Sequence, residues 1–476
     1  MTKYIAVILL LVTSVFAFCQ SSPSGVASVS DPASEIDKLF MQWNSPDSPG
    51  AAVVVVKDGK VLHQNTYGSA SLEFGAPVTA STVFDVASVS KQFAGLAIAT
   101  LVDQKRISLE DDVHKYIPEL PDFGKRITVG HLVHHTSGLR DWPEVLQAGG
   151  WLFDDVISFE QIMTMVQHQR GLNFNPGDEE MYSNTNYNLL ARIVERVTGQ
   201  TFREWTDANI FKPLGMRNTH FHDDYADVVK NCANSYYPTK NGTWKRNTDN
   251  LTALGSSSLF TTIEDMAEWL KNFDAPRVGS EAVLKMMVTP GKLNSGKDNN
   301  YAFGLFVGRP YRGLQVVSHT GLWAGFRTAM VRFPEQKFSV AVFSNASNFR
   351  SLRTANAIAE LYLGAEMKEA SEVPAVAETP RAPVSRLSQA RLQEFAGEYY
   401  SHELAVSYSV TAKDDGLDLL NRHYPPLRLT LIGNDEFGNE DWRVRFTRNS
   451  GKITGLLLSG ERVRNMSFAR TGSQCF

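Results

Sequence analysis

Strand-forming segments stand at the two ends of a long stretch whose middle is patterned for helices, and that order limits the folds open to this chain. At the front, Ala51 to Val56 is a β-branched apolar run, Asp58-Gly59 is a hairpin turn signal, and Val61 to Tyr67 can return antiparallel. At the back, Gln315–Ser318, Phe326–Phe333 and Phe338–Phe343 are short β-rich runs separated by turn residues. Between them, Ser90–Ile107 crowds apolar residues onto the positions of a long, largely buried helix. Asn188–Val197 has helical spacing and stops at Gly199, and Thr262 reads as the N-cap of a helix through Trp269. Ala355–Leu363 reads as a closing helix. The implied architecture is α+β, a single unit over residues 34–368 whose antiparallel sheet joins both ends and is flanked by a mostly helical subdomain.

Beyond it, residues 369–388 mix Pro374, Pro380 and Pro383 with Ala, Glu, Val and Ser and carry no periodicity, as a linker does. From 389 to 476 the pattern alternates, as in Leu404-Val406-Tyr408-Val410 and Trp442-Val444-Phe446, with turns at Asp414-Asp415-Gly416 and Asn449-Ser450-Gly451. That predicts a small C-terminal antiparallel β-barrel-like domain. A chain of 476 residues has room for both units.

The first residues have the order of a secretory signal peptide, with Lys3, an apolar run from Ile5 to Val12, and small residues through Ala17. Residues 1–19 are therefore expected to direct export, to a periplasm or out of the cell. A lipid anchor at Cys19 is disfavoured by the bulky Phe18 before it. The net charge of −4 gives no attraction to nucleic acid. Cys19, Cys232 and Cys475 are too few and too scattered for a disulfide framework or a thiolate metal site.

Three short motifs carry chemistry. Ser88-x-x-Lys91 puts a hydroxyl and an amine one helical turn apart, a nucleophile with its base, at a helix N-terminus whose N–H groups can hold an oxyanion. Alone, the pair also reads as a serine cap beside an exposed lysine. Tyr182-Ser183-Asn184 falls on a loop before the Asn188 helix, where a phenol and an amide can face a cleft, or where a tyrosine simply packs in a turn. His319-Thr320-Gly321 ends the strand that begins near Gln315, and its glycine permits close approach of another backbone or a ligand. Ser90 lacks a lysine at i+3 and reads as packing or a cap. His131, His134 and His135 lie at helical spacing without a carboxylate-rich motif, which disfavours a metal site. Ser256-Ser257-Ser258 fits either a loop near the site or a plain helix entry.

In this order the three motifs resemble those of the serine β-lactamase and penicillin-binding-protein superfamily, in its class C-like branch of β-lactamases, D-alanyl-D-alanine carboxypeptidases, D-aminopeptidases and β-lactamase-like esterases. The likeness runs from about Ser34 to Leu363 and includes His135-Thr136-Ser137-Gly138-Leu139 and Gly325-Phe326. By that resemblance Ser88 is acylated, and Lys91 and Tyr182 share the proton transfers, with the main base left open between them. Asn184, His319, Thr320 and Gly321 bind substrate, and the N–H groups of Ser88 and Leu322 form the oxyanion hole. No cofactor or metal is implied. The substrate would be a small molecule or a peptide, cell-wall peptide included; no feature sets an oligomeric state.

The wall motif departs from the Lys-Thr-Gly of class C β-lactamases. A histidine with an ordinary pKa is mostly neutral at pH 7 and gains charge in mild acid, so it offers a β-lactam carboxylate less than lysine would. The expectation is an exported serine hydrolase acting on a peptide or amide, D-residues included, or on a small ester. A β-lactamase, or a penicillin-binding sensor that acylates without turnover, is the alternative.

Overall fold

Ala51–Lys57 (β1) is buried on both faces, which is why its sequence is a continuous apolar run and not an alternating one. The computed structural model describes residues 31–369, 387–421 and 423–471. The expected signal peptide with Cys19, and all of the 369–388 linker except its ends, lie outside the described residues. β1 turns at Asp58-Gly59 into β2 (Lys60–Tyr67). β3 (Val317–Trp323), β4 (Phe326–Phe333) and β5 (Phe338–Ser344) complete an antiparallel sheet of order β3-β4-β5-β1-β2. β1 pairs with β5 from Ala51 opposite Ser344 to Lys57 opposite Phe338, so the sheet joins the two ends of the unit as expected.

Period-two alternation splits this sheet between two cores. Ala52, Val54, Val56, Met330 and Phe343 face the helical subdomain. Val53, Val55, Val331 and Val342 face α1 (Pro32–Phe40) and the C-terminal helix Ser351–Leu363. The helical subdomain is built on α2 (Lys91–Asp103), buried on nearly every side, and α3 (Asn184–Thr198), which ends at Gly199 with φ of 76°. α2 stops four residues before the expected Ile107, where Lys105 turns left-handed and reverses the chain.

Ser88 lies in a 3₁₀ turn, Ala87–Ser90, that leads into α2. Ala87 holds φ of 48°, a left-handed conformation that costs a residue with a Cβ roughly 1–2 kcal/mol. Buried hydrogen bonds fix it: the Ala87 N–H donates to Asp85 at 2.7 Å, and the Thr328 hydroxyl donates to the Val86 carbonyl at 2.8 Å. Asp85 lies beside Asp249, and one oxygen of each carboxyl is buried with no donor from the protein. A proton shared between the two satisfies both. Burial and then the Asp249 charge push Asp85 well above the usual carboxyl range, and burial raises Asp249 to about 6.

The C-terminal strands, from Gly397–Ser401 to Met466–Thr471, form a closed eight-stranded antiparallel barrel, with first and last strands paired from Glu398 opposite Thr471. Closure leaves no free edge. Tyr399, Tyr408, Phe437, Phe446 and Phe468 fill its interior, and Val145 and Ala148 of the first unit join that core. Across the joint, Arg140 and Glu403 form an ion pair with each side chain only 4% exposed, and Arg140 also donates to the Arg464 carbonyl at 3.1 Å. Arg464 in turn grips Glu179 with two bonds of 3.0 Å.

Two predictions follow from these buried charges. In Asp85→Asn the amide can replace the shared proton while keeping the Ala87 contact. Because the folded-state pKa values are raised, the wild-type pair loses stability as pH climbs above the unfolded value near 4 and through about 6. The Tm advantage of Asp85→Asn over wild type should therefore be larger at pH 8 than at pH 5; an equal difference at both would exclude proton sharing. Glu403→Gln strands the Arg140 charge in the joint and should cost about 3 kcal/mol in chemical denaturation, mostly recovered by Arg140→Met with Glu403→Leu. A single-mutant loss below about 0.5 kcal/mol would show that the pair does not hold the barrel.

Candidate active site

Ser88 is the partly exposed residue of an otherwise buried turn, and it opens onto a cleft of about 600 Å³ shared with Tyr182, Asn184, His319, Thr320 and Leu322. Lys91 lies beneath the floor, completely buried. Its Nζ is 3.0 Å from Ser88 Oγ, 2.7 Å from Asn184 Oδ1 and 2.6 Å from the Ser256 carbonyl. Burial pushes the amine well below the ordinary lysine range, against the pull of the Asp141 carboxylate. Ser256 thus belongs to the site through its backbone, and Ser257 borders the cleft. Ser90, fully buried, donates to the Ala87 carbonyl and accepts from Leu259 N–H at 3.1 Å, the packing role expected of it.

Tyr182 precedes α3, but Asn184 is the first residue of that helix and not part of a loop before it. Ser183 provides no side-chain cap. Asp141 caps from a distant segment instead, accepting the Asn184 N–H at 2.6 Å and its side-chain amide at 3.0 Å. The second bond fixes the amide so that Asn184 Oδ1 faces Lys91. The Tyr182 ring packs 4.5 Å from the His135 ring and stacks on Phe306, it lines the same cleft as Ser88, and burial raises its pKa. Tyr182 is therefore a neutral phenol at physiological pH.

The wall motif falls in the middle of β3 and not at its end, because the strand pairs on through Trp323 opposite Phe326. A Cβ on Gly321 would lie 2.2 Å from the Val86 carbonyl oxygen, so only glycine lets this strand press against the turn that carries Ser88. His319 and Thr320 point to opposite faces, paired with Met330 and Ala329 respectively. Leu322 is exposed at the cleft rim. The expectation that His319 charges in mild acid needs correction. His319 is 2% exposed, its Nε2 pairs with the Tyr301 hydroxyl at 2.9 Å, and its Nδ1 lies 2.7 Å from the Thr320 carbonyl. Burial and then the nearby Lys91 lower it to about 3, so it is neutral at pH 7 and in mild acid.

The other histidines serve separate local contacts. His131 completes a capping box with Thr128, His134 lies 3.0 Å from the Tyr301 carbonyl, and buried His135 accepts from Ser183 N–H at 3.3 Å.

Sequence reasoning missed three contributors. Trp142, Phe153 and Trp323 form an aromatic wall on one side of the cleft, with Trp323 5.9 Å from Trp142 and 5.8 Å from Phe153. Asp141 anchors Asn184. Arg462, from the barrel loop between Lys452–Ser459 and Met466–Thr471, borders the cleft, contacts Asp141 at 3.1 Å and lies 5.1 Å over the Tyr182 ring. Only a weak sign could have flagged it, the basic Arg462-Val463-Arg464 in a turn of an otherwise alternating tail.

The chain is 27% identical over 318 residues to a D-aminopeptidase of Gluconobacter oxydans, a match covering 65% of this chain and 58% of that protein. It is 28% identical over 330 residues to penicillin-binding protein 4* of Bacillus subtilis, covering 65% and 71%. The chain thus spans less than two thirds of the Gluconobacter relative. Among solved structures, the octameric penicillin-binding protein homologue from Pyrococcus abyssi shares the fold over 93% of this chain and all of that one, with a TM-score of 0.63 and 23% identity. A D-amino acid amidase from Ochrobactrum anthropi SV3 covers 70% of this chain and 98% of its own, with a TM-score of 0.58 and 20% identity. The beta-lactamase family model matches residues 37–364, well over half of the sequence, and this chain belongs to that family.

Proposed function

We propose that this protein is a serine hydrolase that cleaves an amide or peptide bond, or a small ester, through an acyl-enzyme on Ser88. One observation carries the reading: the three oxygens around Lys91 Nζ. Two are carbonyl oxygens, of Asn184 and Ser256, and can only accept. A neutral amine has two N–H donors and one lone pair, so the two carbonyls consume its donors and the lone pair is left for the Ser88 hydroxyl. Burial favours that neutral form. Lys91 is then the main base, and Tyr182, a neutral phenol on the same cleft as Ser88, is a proton relay.

As Ser88 Oγ bonds to the substrate carbonyl carbon, its proton passes to Lys91, and the carbonyl oxygen becomes the oxyanion facing the N–H groups of Ser88 and Leu322. Collapse breaks the bond to the leaving group, which takes a proton through Tyr182. Water then repeats the sequence against the acyl-enzyme and regenerates the hydroxyl of Ser88. Asn184 and Thr320 flank the substrate, and the aromatic wall suits an apolar side chain. The names of the relatives support an amide substrate and make D-configured residues the first to try. A neutral His319 leaves the wall without the cation a β-lactamase would present, which places β-lactams lower. The apolar N-terminal segment supports action outside the cytoplasm.

Ser88→Ala should reduce turnover of a p-nitrophenyl ester to background with an unchanged circular dichroism spectrum; retained turnover would exclude Ser88. Tyr182→Phe should slow deacylation by roughly 10²-fold or more and leave an acyl-enzyme visible by intact mass. Wild-type rates in that variant would exclude the relay, and a stalled adduct in the wild type itself would mark a sensor.

A further inference from the structure

Arg462 is the one fully charged side chain among the described residues that border the cleft. His319 on the facing wall is neutral, Lys91 is buried beneath the floor, and no aspartate or glutamate lines the opening. Of the two carboxylates paired with Arg462, Asp141 is 1% exposed and has its oxygens occupied by Asn184 and Arg462, while Glu461, outside the cleft lining, is 80% exposed. Next to Asp141, Glu144 accepts the Arg462 backbone N–H at 2.9 Å.

The barrel loop that presents Arg462 is pinned from both sides. The Arg462 carbonyl accepts from the Asn173 side-chain amide at 2.8 Å, the Arg464 N–H donates to the same Asn173 at 2.8 Å, and the Arg464 carbonyl accepts from Arg140. The guanidinium is held by one edge: Nη1 bonds Asp141 at 3.1 Å, and its plane sits over the Tyr182 ring. Nη2 has no hydrogen-bond partner among the described residues, and the side chain is 34% exposed. Nε lies 3.8 Å from the exposed Glu461 carboxylate, a contact too long for a hydrogen bond. A guanidinium fixed at Nη1 with Nη2 free is pre-organised to take a carboxylate, since little rotamer freedom remains to be lost on binding.

Building on the hydrolase reading, we propose that Arg462, delivered to the cleft by the C-terminal barrel, is a specificity-determining residue that binds a substrate carboxylate beside the scissile bond. Substrates with a free ammonium in that position meet the Arg462 cation, with no aspartate or glutamate among the residues that line the cleft, so this site favours the opposite charge class from that of an aminopeptidase.

Two matched pairs test this in the full-length protein. Benzoyl-D-alanyl-D-lactate against its carboxamide places the carboxylate on the leaving group, and succinyl-D-alanine p-nitroanilide against the acetyl analogue places it on the acyl side. D-Alanine p-nitroanilide is the ammonium probe. The wild type should favour the charged member of at least one pair and turn over the ammonium probe worst. Arg462→Gln should lower that charged-to-neutral ratio of kcat/KM by about tenfold, and Arg462→Lys, which keeps the charge but not the held fork, should keep only part of it. Raised salt should narrow the wild-type ratio. Because each ratio is internal, a loosened barrel lowers both members together and leaves it unmoved. Ratios unmoved within about twofold in Arg462→Gln, with turnover still dependent on Ser88, would overturn this inference alone. Turnover that survives Ser88→Ala would overturn the hydrolase reading and this inference with it.

Discussion

A lysine amine with no access to water is the constraint around which this molecule is arranged. Holding it charged and buried costs several kcal/mol even after relaxation, so its surroundings must either pair it or let it lose its proton. Burial pushes the amine toward the second, which is the state the hydrolase reading uses. The partners nearest Lys91 are dipoles, the Asn184 and Ser256 carbonyls and the Ser88 hydroxyl, while the Asp141 carboxylate stands one residue further out, behind Asn184. Gly304 leaves the Lys91 backbone no room to shift, since a Cβ there would lie 2.3 Å from the Lys91 carbonyl carbon. The strained Ala87, the clamp from Asp85 and the glycine contact at 321 all serve to keep Ser88 over that amine.

From Lys91 a single line of contacts leads out of the first unit. Asn184 Oδ1 touches the amine, Asp141 fixes Asn184, and Arg462 of the barrel sits against Asp141. The barrel is thus joined to the site through charge as well as through the Arg140–Glu403 pair, and its loop completes one wall of the cleft. A domain that looks appended in sequence supplies the one fully charged side chain that borders the cleft among the described residues.

Much of this could be read beforehand, for identifiable reasons. The sheet was legible because Ala51–Val56 and Phe338–Phe343 are β-branched or aromatic throughout, and the barrel because Leu404 to Val410 alternates with period two. Ser88, Lys91, Tyr182, Asn184 and His319 converge as their motifs led one to expect. What escaped depended on contacts between distant residues. The start of α3 at Asn184 is set by Asp141, 43 positions earlier, and no local pattern shows such a cap. The neutrality of His319 comes from burial against Tyr301 and Phe306, which an isolated His-Thr-Gly does not reveal. Arg462 is one basic residue in a turn until the chain folds and sets it over Tyr182.

The central claim is that Ser88 forms the covalent bond, and adduct mapping tests it most directly. Full-length protein treated with a fluorophosphonate and digested with trypsin yields the peptide 61–91, which carries both Ser88 and Ser90. Fragmentation of that peptide should place the added mass on Ser88, with Lys91→Ala preventing labelling. A label on Ser90, on Ser183 or Ser257, or no label on folded protein would contradict the account.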